Sequence, residues 1–283
     1  MATSGRPGRS YHREVLLLVD LDGVVYRGPV AVPGMPQLLT RRVAAGDTVV
    51  YVTNNSRWHR SEYQARLEEM GAPVAADHIV TAARATALAL TEDGERPRTT
   101  MVFGGPGLSR ELRDVGLRTV APTTHGLAAQ PDAVVVGIDF SLSYSRLSIS
   151  AEAVRRGARF VATNRDPIYP TPDAMNAGAG AIVAALAAAV GREPDLTIGK
   201  PEPILFHEAA SVAGIPAREA VVIGDSLLSD IAAAHAVGAR SVLMLTGVSD
   251  EIHLEATPPH LRPTAVAKDA DELATILDRF ASA

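Results

Sequence analysis

Asp20 and Asp22 stand at the end of the run Val15-Leu16-Leu17-Leu18-Val19, with Gly23 behind them. The wholly apolar run reads as a buried strand, which in an α/β protein is a central parallel strand. Ligands bind beyond the carboxyl ends of such strands. In extended backbone, residues i and i+2 share a side, so both carboxylates can face one reaction centre. Carboxylates that close repel, and the pair calls for a cation, a proton or a chemical task.

Three further polar groups follow apolar runs or sit in the loops beside them. Thr53-Asn54 ends the run Thr48–Val52, Gly199-Lys200-Pro201 comes later, and Gly224-Asp225-Ser226-Leu227-Leu228-Ser229-Asp230 follows Ala220–Ile223. If the strands share a sheet, one crevice receives the carboxylates of Asp20, Asp22, Asp225 and Asp230, the Lys200 ammonium and the Thr53 hydroxyl. An oxygen donor set with no cysteine and no histidine cluster suits Mg²⁺ rather than zinc. Hydroxyl, lysine and backbone N–H groups suit a phosphoryl group. Unit charges about 4 Å apart repel by roughly 4 kcal/mol at an effective dielectric near 20, so such an acidic site needs the metal and the lysine before it can face a phosphate. Asp20 could then attack phosphorus in line. Asp22 could protonate the leaving oxygen and later take a proton from the hydrolytic water.

The elements that must position these groups alternate between strand and helix. Thr99–Phe103, Ala133–Val136, Arg159–Ala162, Ala220–Ile223 and Ser241–Leu245 read as further strands. Ser61 to Met70 reads as a helix, with Ser61 and Gln64 as a capping box and Gly71 at its end. Ala181–Val190 is an alanine-rich helix closed by Gly191. Breaker residues mark Thr91–Arg98 and Pro258–Pro263 as loops. The alternation predicts an α/β fold, a doubly wound parallel sheet with helices on both faces.

The 283 residues suffice for one large or two modest domains, and 47% are hydrophobic. A net charge of −5 leaves no basic footprint for nucleic acid. The chain has no cysteine, which excludes disulfides, zinc–thiolate sites and cysteine nucleophiles. No apolar run approaches the length of a membrane span. Met1 to Arg13 is polar and basic and reads as a disordered tail. The expectation is a cytoplasmic protein, with no nucleic-acid or membrane partner.

Taken together, the four motifs resemble the haloacid dehalogenase (HAD) superfamily, with its Asp-x-Asp strand end, Ser/Thr strand end, lysine and Gly-Asp-x-x-x-x-Asp. The stretches Asp20 to Gly28, Val52 to Ser56, Ala162-Thr163-Asn164-Arg165-Asp166 and Gly199 to Pro203 are similar to the class IIA, NagD-like subfamily of p-nitrophenyl, phosphoglycolate and pyridoxal phosphatases. The resemblance covers nearly everything after residue 14. It implies a phosphatase with Asp20 as nucleophile and Asp22 as general acid/base. It implies Mg²⁺ held by the Asp20 and Asp225 carboxylates and the Asp22 backbone carbonyl, with Asp230 behind them. Thr53, the Asn54 amide and Lys200 would bind the phosphoryl oxygens, and the substrate would be a small phosphate ester. Thr53 follows Asp20 closely, whereas Lys200 lies far beyond it, so the extra domain falls between them. The expected division is a core of residues 14–83 and 197–283, with an α/β cap over 84–196. Arg165, Asp166, Asn176 and Gly178 are candidate cap contacts. Relatives usually carry Pro-Gly within Asn176 to Gly180, so substrate preference does not transfer. A homodimer through the cap is the expectation from the same resemblance.

Other readings compete at single features. Gly104-Gly105-Pro106-Gly107 follows a strand and opens a helix, as nucleotide loops do, but lacks G-x-G-x-x-G spacing and reads as a structural turn. Trp58 and Tyr144 read as core residues. Gly224-Asp225-Ser226-Leu227 with Asp250-x-x-His253 spells a GDSL esterase, though both crowd into the last third and leave Asp20 unexplained. A dehalogenase would lack the second aspartate. A phosphomutase would carry its cap between the first two motifs, and a non-catalytic scaffold would have no need of the acid set.

Overall fold

The structure, a computed structural model, describes residues 14–92, 94, 96–171 and 174–282. The tail expectation for 1–13 lies outside the described residues. Strand β1 (Leu16–Asp20) is followed by a short antiparallel ribbon, β2 (Tyr26–Arg27) with β3 (Val30–Ala31). Then come β4 (Thr48–Thr53) and β5 (Ile79–Thr81). An inserted unit supplies β6 (Thr99–Phe103), β7 (Arg118–Val120), β8 (Ala133–Val136) and β9 (Arg159–Ala162). It continues through an antiparallel pair, β10 (Ile168–Thr171) with β11 (Ala174–Ala177), to β12 (Leu196–Thr197). The chain returns through β13 (Val221–Gly224), β14 (Arg240–Met244) and β15 (Ala265–Ala267).

The main sheet runs β15-β14-β13-β1-β4-β5, all parallel. Leu17 and Val19 of β1 pack into one apolar cluster, and Leu16 and Leu18 into another on the opposite face. That is why β1 is apolar from Leu16 through Val19 rather than alternating. After β1 the chain winds outward to β4 and β5, then later returns to β13 on the other flank. The reversal falls between β1 and β13, and it is there that an open α/β sheet leaves a crevice beyond its strand ends. Asp20 closes β1, and Asp225 follows Gly224 at the end of β13.

The inserted unit has its own parallel sheet, ordered β12-β9-β8-β6-β7. One face packs Met101, Phe103, Val134 and Val136 against the helices Tyr144–Arg155 and Ala179–Val190. The other face contributes Val102, Val135 and Val161 to the same cluster that holds Leu16, Val50 and Phe206 of the main sheet's layer. The two units therefore share an apolar layer, which includes the helices Ala82–Glu92 and Ile204–Ala213.

Several local expectations are corrected. The helix after β4 is Arg60–Glu69, and its capping box is built by His59 and Glu62, not by Ser61 and Gln64. The His59 ring nitrogen accepts the Ser61 N–H, and the Glu62 carboxylate accepts the His59 N–H. Gln64 bonds Glu68 one turn along instead. Thr91 and Glu92 belong to the helix Ala82–Glu92, and Pro259–Leu261 forms one turn of 3₁₀ helix. Tyr144 is 86% exposed and Trp58 39%, so neither is core.

Candidate active site

Each strand end brings its polar group to the crevice by a different local device. Asp20 is the last residue of β1 and is buried. Thr53 ends β4 and is buried, and its hydroxyl accepts the Asn55 N–H at 3.2 Å. Asp225 is fixed by backbone: its Oδ2 accepts the Val248 N–H at 2.8 Å, and its carbonyl accepts the Ser249 N–H at 2.9 Å. Gly23, Gly224 and Gly247 are demanded by close approach. A Cβ on Gly23 or Gly247 would stand 2.2 or 1.8 Å from Asp225 Oδ2, and one on Gly224 2.2 Å from Asp230 Cβ. Gly23 also needs its left-handed φ of 81°.

Lys200 Nζ donates to Asp20 Oδ1 at 2.5 Å and to Asp230 Oδ1 at 2.6 Å, with all three side chains buried. The other Asp230 oxygen accepts the Ser226 N–H at 3.1 Å. Carboxylate oxygens of Asp20, Asp225 and Asp230 lie within 4.8 Å of one another. The sequence-selected core residues Asp20, Lys200, Asp225 and Asp230 thus form one cluster, with three potential negative charges against one positive. Burial raises the Asp20 carboxyl well above the usual range, with Asp230 and Asp225 adding to it against the pull of Lys200. Asp225 is pushed up to about 7, chiefly by burial and then by Asp230. Burial opposes the Lys200 ammonium, but Asp20 and Asp230 more than offset this and raise it. Excess negative charge on hard oxygen donors is the chemistry of a divalent-cation site, and the residues fit Mg²⁺.

Asp22 sits just past β1 at a bridge to Tyr26. Its side chain reaches solvent, yet the walls of the crevice crowd it, and this desolvation raises its pKa against the pull of Arg66 and Lys200. Arg66 stacks over the Tyr26 ring at 3.6 Å and donates to the Gly28 carbonyl.

Of the four candidate contacts on the inserted unit, only Asp166 reaches a core motif. Its Oδ2 accepts from Asn54 Nδ2 at 3.0 Å, and the same amide donates to the Lys200 carbonyl at 2.9 Å. Asn54 Nδ2 is therefore spent on holding the two units together, while its Oδ1 is buried without a partner. Arg165 is half exposed and pairs with Glu193, and Asn176 bonds Thr171 within the β10–β11 pair. Gly178 and Gly180 pass so close to the Asp166 and Arg165 carbonyls that a Cβ would stand 2.2 Å away. Asn164 was not singled out, yet its Nδ2 donates to the Asn54 carbonyl at 2.6 Å. The signal was present: Ala162-Thr163-Asn164 ends β9 as Val52-Thr53-Asn54 ends β4. The esterase reading finds no support. Ser226 caps the short helix Leu227–Ile231 with its hydroxyl, and Asp250 and His253 are exposed and bond each other.

A doubly wound sheet with a buried acid–lysine cluster at its switch point marks an α/β enzyme equipped for phosphoryl transfer. Comparison with known proteins agrees. A family model for haloacid dehalogenase-like hydrolases matches residues 17–118, and a second HAD-hydrolase-like model matches 197–273. The D-glycerol 3-phosphate phosphatase of Mycobacterium tuberculosis is 36% identical over 257 residues, covering 91% of this chain and 70% of the relative. Among solved structures, p-nitrophenyl phosphatase from Archaeoglobus fulgidus superposes with a TM-score of 0.84 at 30% identity, over 93% of this chain and 99% of that one. The glycerol phosphate phosphatase of M. tuberculosis in complex with magnesium gives 0.82 at 35% identity, over 92% and 76%. The chain belongs to the haloacid dehalogenase-like hydrolases. It is a phosphatase of that family, and the resemblance to the p-nitrophenyl phosphatase branch holds across most of its length.

Proposed function

We propose that this chain is a Mg²⁺-dependent phosphomonoesterase that hydrolyses small phosphorylated metabolites through an aspartyl-phosphate on Asp20. The observation that carries this reading is the Asp20–Lys200–Asp230 cluster beside Asp225, in which one ammonium orients the nucleophile within a surplus of carboxylate oxygens. Asp20 and Asp225, with the Asp22 carbonyl, would hold the metal, which supplies Lewis-acid polarisation of the phosphoryl group.

A carboxylate oxygen of Asp20 attacks phosphorus as the ester P–O bond breaks. The leaving oxygen takes a proton from Asp22, whose raised pKa keeps that proton available nearer neutrality. Asp22, now ionised, removes a proton from water. The water oxygen bonds to phosphorus, the acyl-phosphate P–O bond breaks, and Asp20 is restored with release of inorganic phosphate. Thr53, Lys200 and the Asn54 backbone N–H would bind the phosphoryl oxygens, the Asn54 side chain being engaged elsewhere. Asp230 holds Lys200. Residues 84–196 would act as a cap on a core of 14–83 and 197–283, contacting the site through Asp166. The relatives' names point to glycerol phosphates and sugar phosphates as substrate classes to try first. Among the described residues no helix is long and apolar enough to cross a membrane. A cytoplasmic setting is part of the same proposal.

The test is phosphate release from p-nitrophenyl phosphate. Turnover should vanish with EDTA, return with Mg²⁺, and be absent in Asp20→Asn with an unchanged circular dichroism spectrum. Turnover surviving in chelator or in Asp20→Asn would overturn the reading.

A further inference from the structure

The inserted sheet has a switch point of its own. From β6 the chain turns outward to β7 and then crosses back to β8 on the opposite flank, so the order reverses between β6 and β8. Open α/β sheets take ligands at such a reversal. A cavity of about 560 Å³ lies there, within the size range of small-molecule sites. Gly104 and Gly105 after β6 and Ile138 to Ser141 after β8 line it, together with Arg57, Trp58, Arg113 and Arg146.

The loop after β4 runs from the catalytic strand ends to this cavity, and Tyr169 of β10 meets the cavity's Phe140 and Arg57 from the other side. Asn54 meets Asn164 at the end of β9. Ser56 Oγ meets Thr163 at the end of β9 and Ile138 N beyond β8. The Arg57 carbonyl and Trp58 lie against Gly105 and Gly107, beyond β6. The loop thus crosses the inserted sheet strand by strand, with the catalytic residues at its first end and the cavity at its last. Asp20, Asp22, Thr53, Lys200 and Asp225 are not among the cavity's lining residues.

The lining carries more positive charge than its carboxylates neutralise. Asp139 neutralises Arg146 through bonds of 2.9 and 2.6 Å. Among the described residues no carboxylate pairs with Arg57 or Arg113. Arg57 is instead stacked 4.4 Å from the Trp58 ring and 4.3 Å from Phe140. The helix Pro106–Asp114 opens at the cavity with Gly105 as its cap and no side-chain cap bond. Two unpaired guanidinium groups and a helix N-terminus call for an anion. The wall of Val102, Val120, Ile138, Trp58 and Phe140 calls for a flat apolar body beside it.

We propose that this cavity binds a mononucleotide, with its phosphate toward Arg57, Arg113 and the Gly105 turn and its base against the apolar wall. Gly105-x-Gly107 lacks the third glycine of the dinucleotide fingerprint, Arg110 standing in its place, which argues against the close helix–strand packing of a dinucleotide fold.

Trp58 is the chain's single tryptophan and lines the cavity, so its fluorescence reports occupancy. The probe is AMP, titrated in EDTA into the Asp20→Asn protein so that it is not hydrolysed. A saturable change is expected, with adenosine and inorganic phosphate each weaker by about tenfold or more. Arg113 is exposed, and Arg113→Ala should weaken AMP by about tenfold. In the otherwise wild-type chain it should leave kcat/KM for p-nitrophenyl phosphate unchanged. The proposal is overturned by no saturable signal, by equal affinity for phosphate alone, or by an Arg113→Ala protein that still binds AMP normally. A parallel fall in kcat/KM would also overturn it, by making the cavity an arm of the substrate crevice. None of these outcomes touches the assignment of Asp20.

Discussion

Gly247→Ala isolates the geometry of the proposed metal ligand Asp225. The new methyl carbon would stand 1.8 Å from Asp225 Oδ2 and 2.5 Å from its Cβ and Cγ. Carbon–oxygen contacts need about 3.5 Å, so the two groups must separate by roughly 1.7 Å. Gly247 has no positive φ, so the change carries no left-handed backbone penalty. If the carboxylate swings away, it loses the 2.8 Å bond from Val248 N–H. A hydrogen bond to a charged group is worth about 1.5–3 kcal/mol. If the loop moves instead, the same bond stretches. Mg²⁺ tolerates little displacement of its ligands, holding oxygens at about 2.0–2.1 Å. Loss of a hydrogen bond that orients a metal ligand, as Val248 N–H orients Asp225, costs metal affinity by about 10–100-fold. The assay is a Mg²⁺ titration of p-nitrophenyl phosphate hydrolysis. Half-saturation should rise by that factor, while the circular dichroism spectrum stays native. Gly23→Ala should be worse, adding a left-handed backbone at φ 81° to a 2.2 Å contact with the same oxygen. A Gly247→Ala enzyme with unchanged Mg²⁺ half-saturation and turnover would refute the placement of Asp225 in the metal site.

Asp230→Ala should destabilise the fold by about 3 kcal/mol, because it leaves a buried ammonium with one partner and orphans the Ser226 N–H; chemical denaturation would measure this. Asp22→Asn should lower kcat by about 10²–10⁴ without loss of secondary structure, since it removes only the proton carrier; a stopped assay of phosphate release decides it. Glu208 is buried with Oε2 unpartnered, and burial, with Glu92 adding, pushes its carboxyl up to about 7. The folded state therefore binds its proton more tightly than the unfolded one. The resulting penalty is nil below pH 4 and grows until pH passes about 7. Glu208→Gln should accordingly stabilise the protein at pH 8 and not at pH 4.5. The shift sets a ceiling of about 3 kcal/mol, which partial hydration reduces to roughly 1–2 kcal/mol. Equal denaturation midpoints at pH 8 would reject it.

The main sheet and the acid–lysine cluster were legible because central parallel strands are buried on both faces. Leu16 to Asp20 and Thr48 to Thr53 therefore declare themselves as unbroken apolar runs ending in polar residues. The β10–β11 pair was not legible. Its residues around Ala174–Ala177 are largely exposed, and Pro170 interrupts β10, so neither alternation nor an apolar run marks it. β5, β7 and β15 have three residues each, too few to show a period. The Asn54–Asp166 bond joins residues 112 apart in sequence and depends on how the two units pack, which no local pattern encodes. His59 was hidden as a cap because histidine is not a favoured N-cap residue; its ring nitrogen serves here in place of a hydroxyl.

The most direct measurement is of the phosphorylated intermediate itself. Asp22→Asn protein is mixed with a ³²P-labelled phosphomonoester and Mg²⁺, quenched in acid, digested and mapped. Label should appear on the peptide that contains Asp20 and disappear in the double variant with Asp20→Asn. Label on a different residue, or substrate cleaved by Asp22→Asn protein at a rate no label on Asp20 can account for, would contradict nucleophilic attack by that carboxylate.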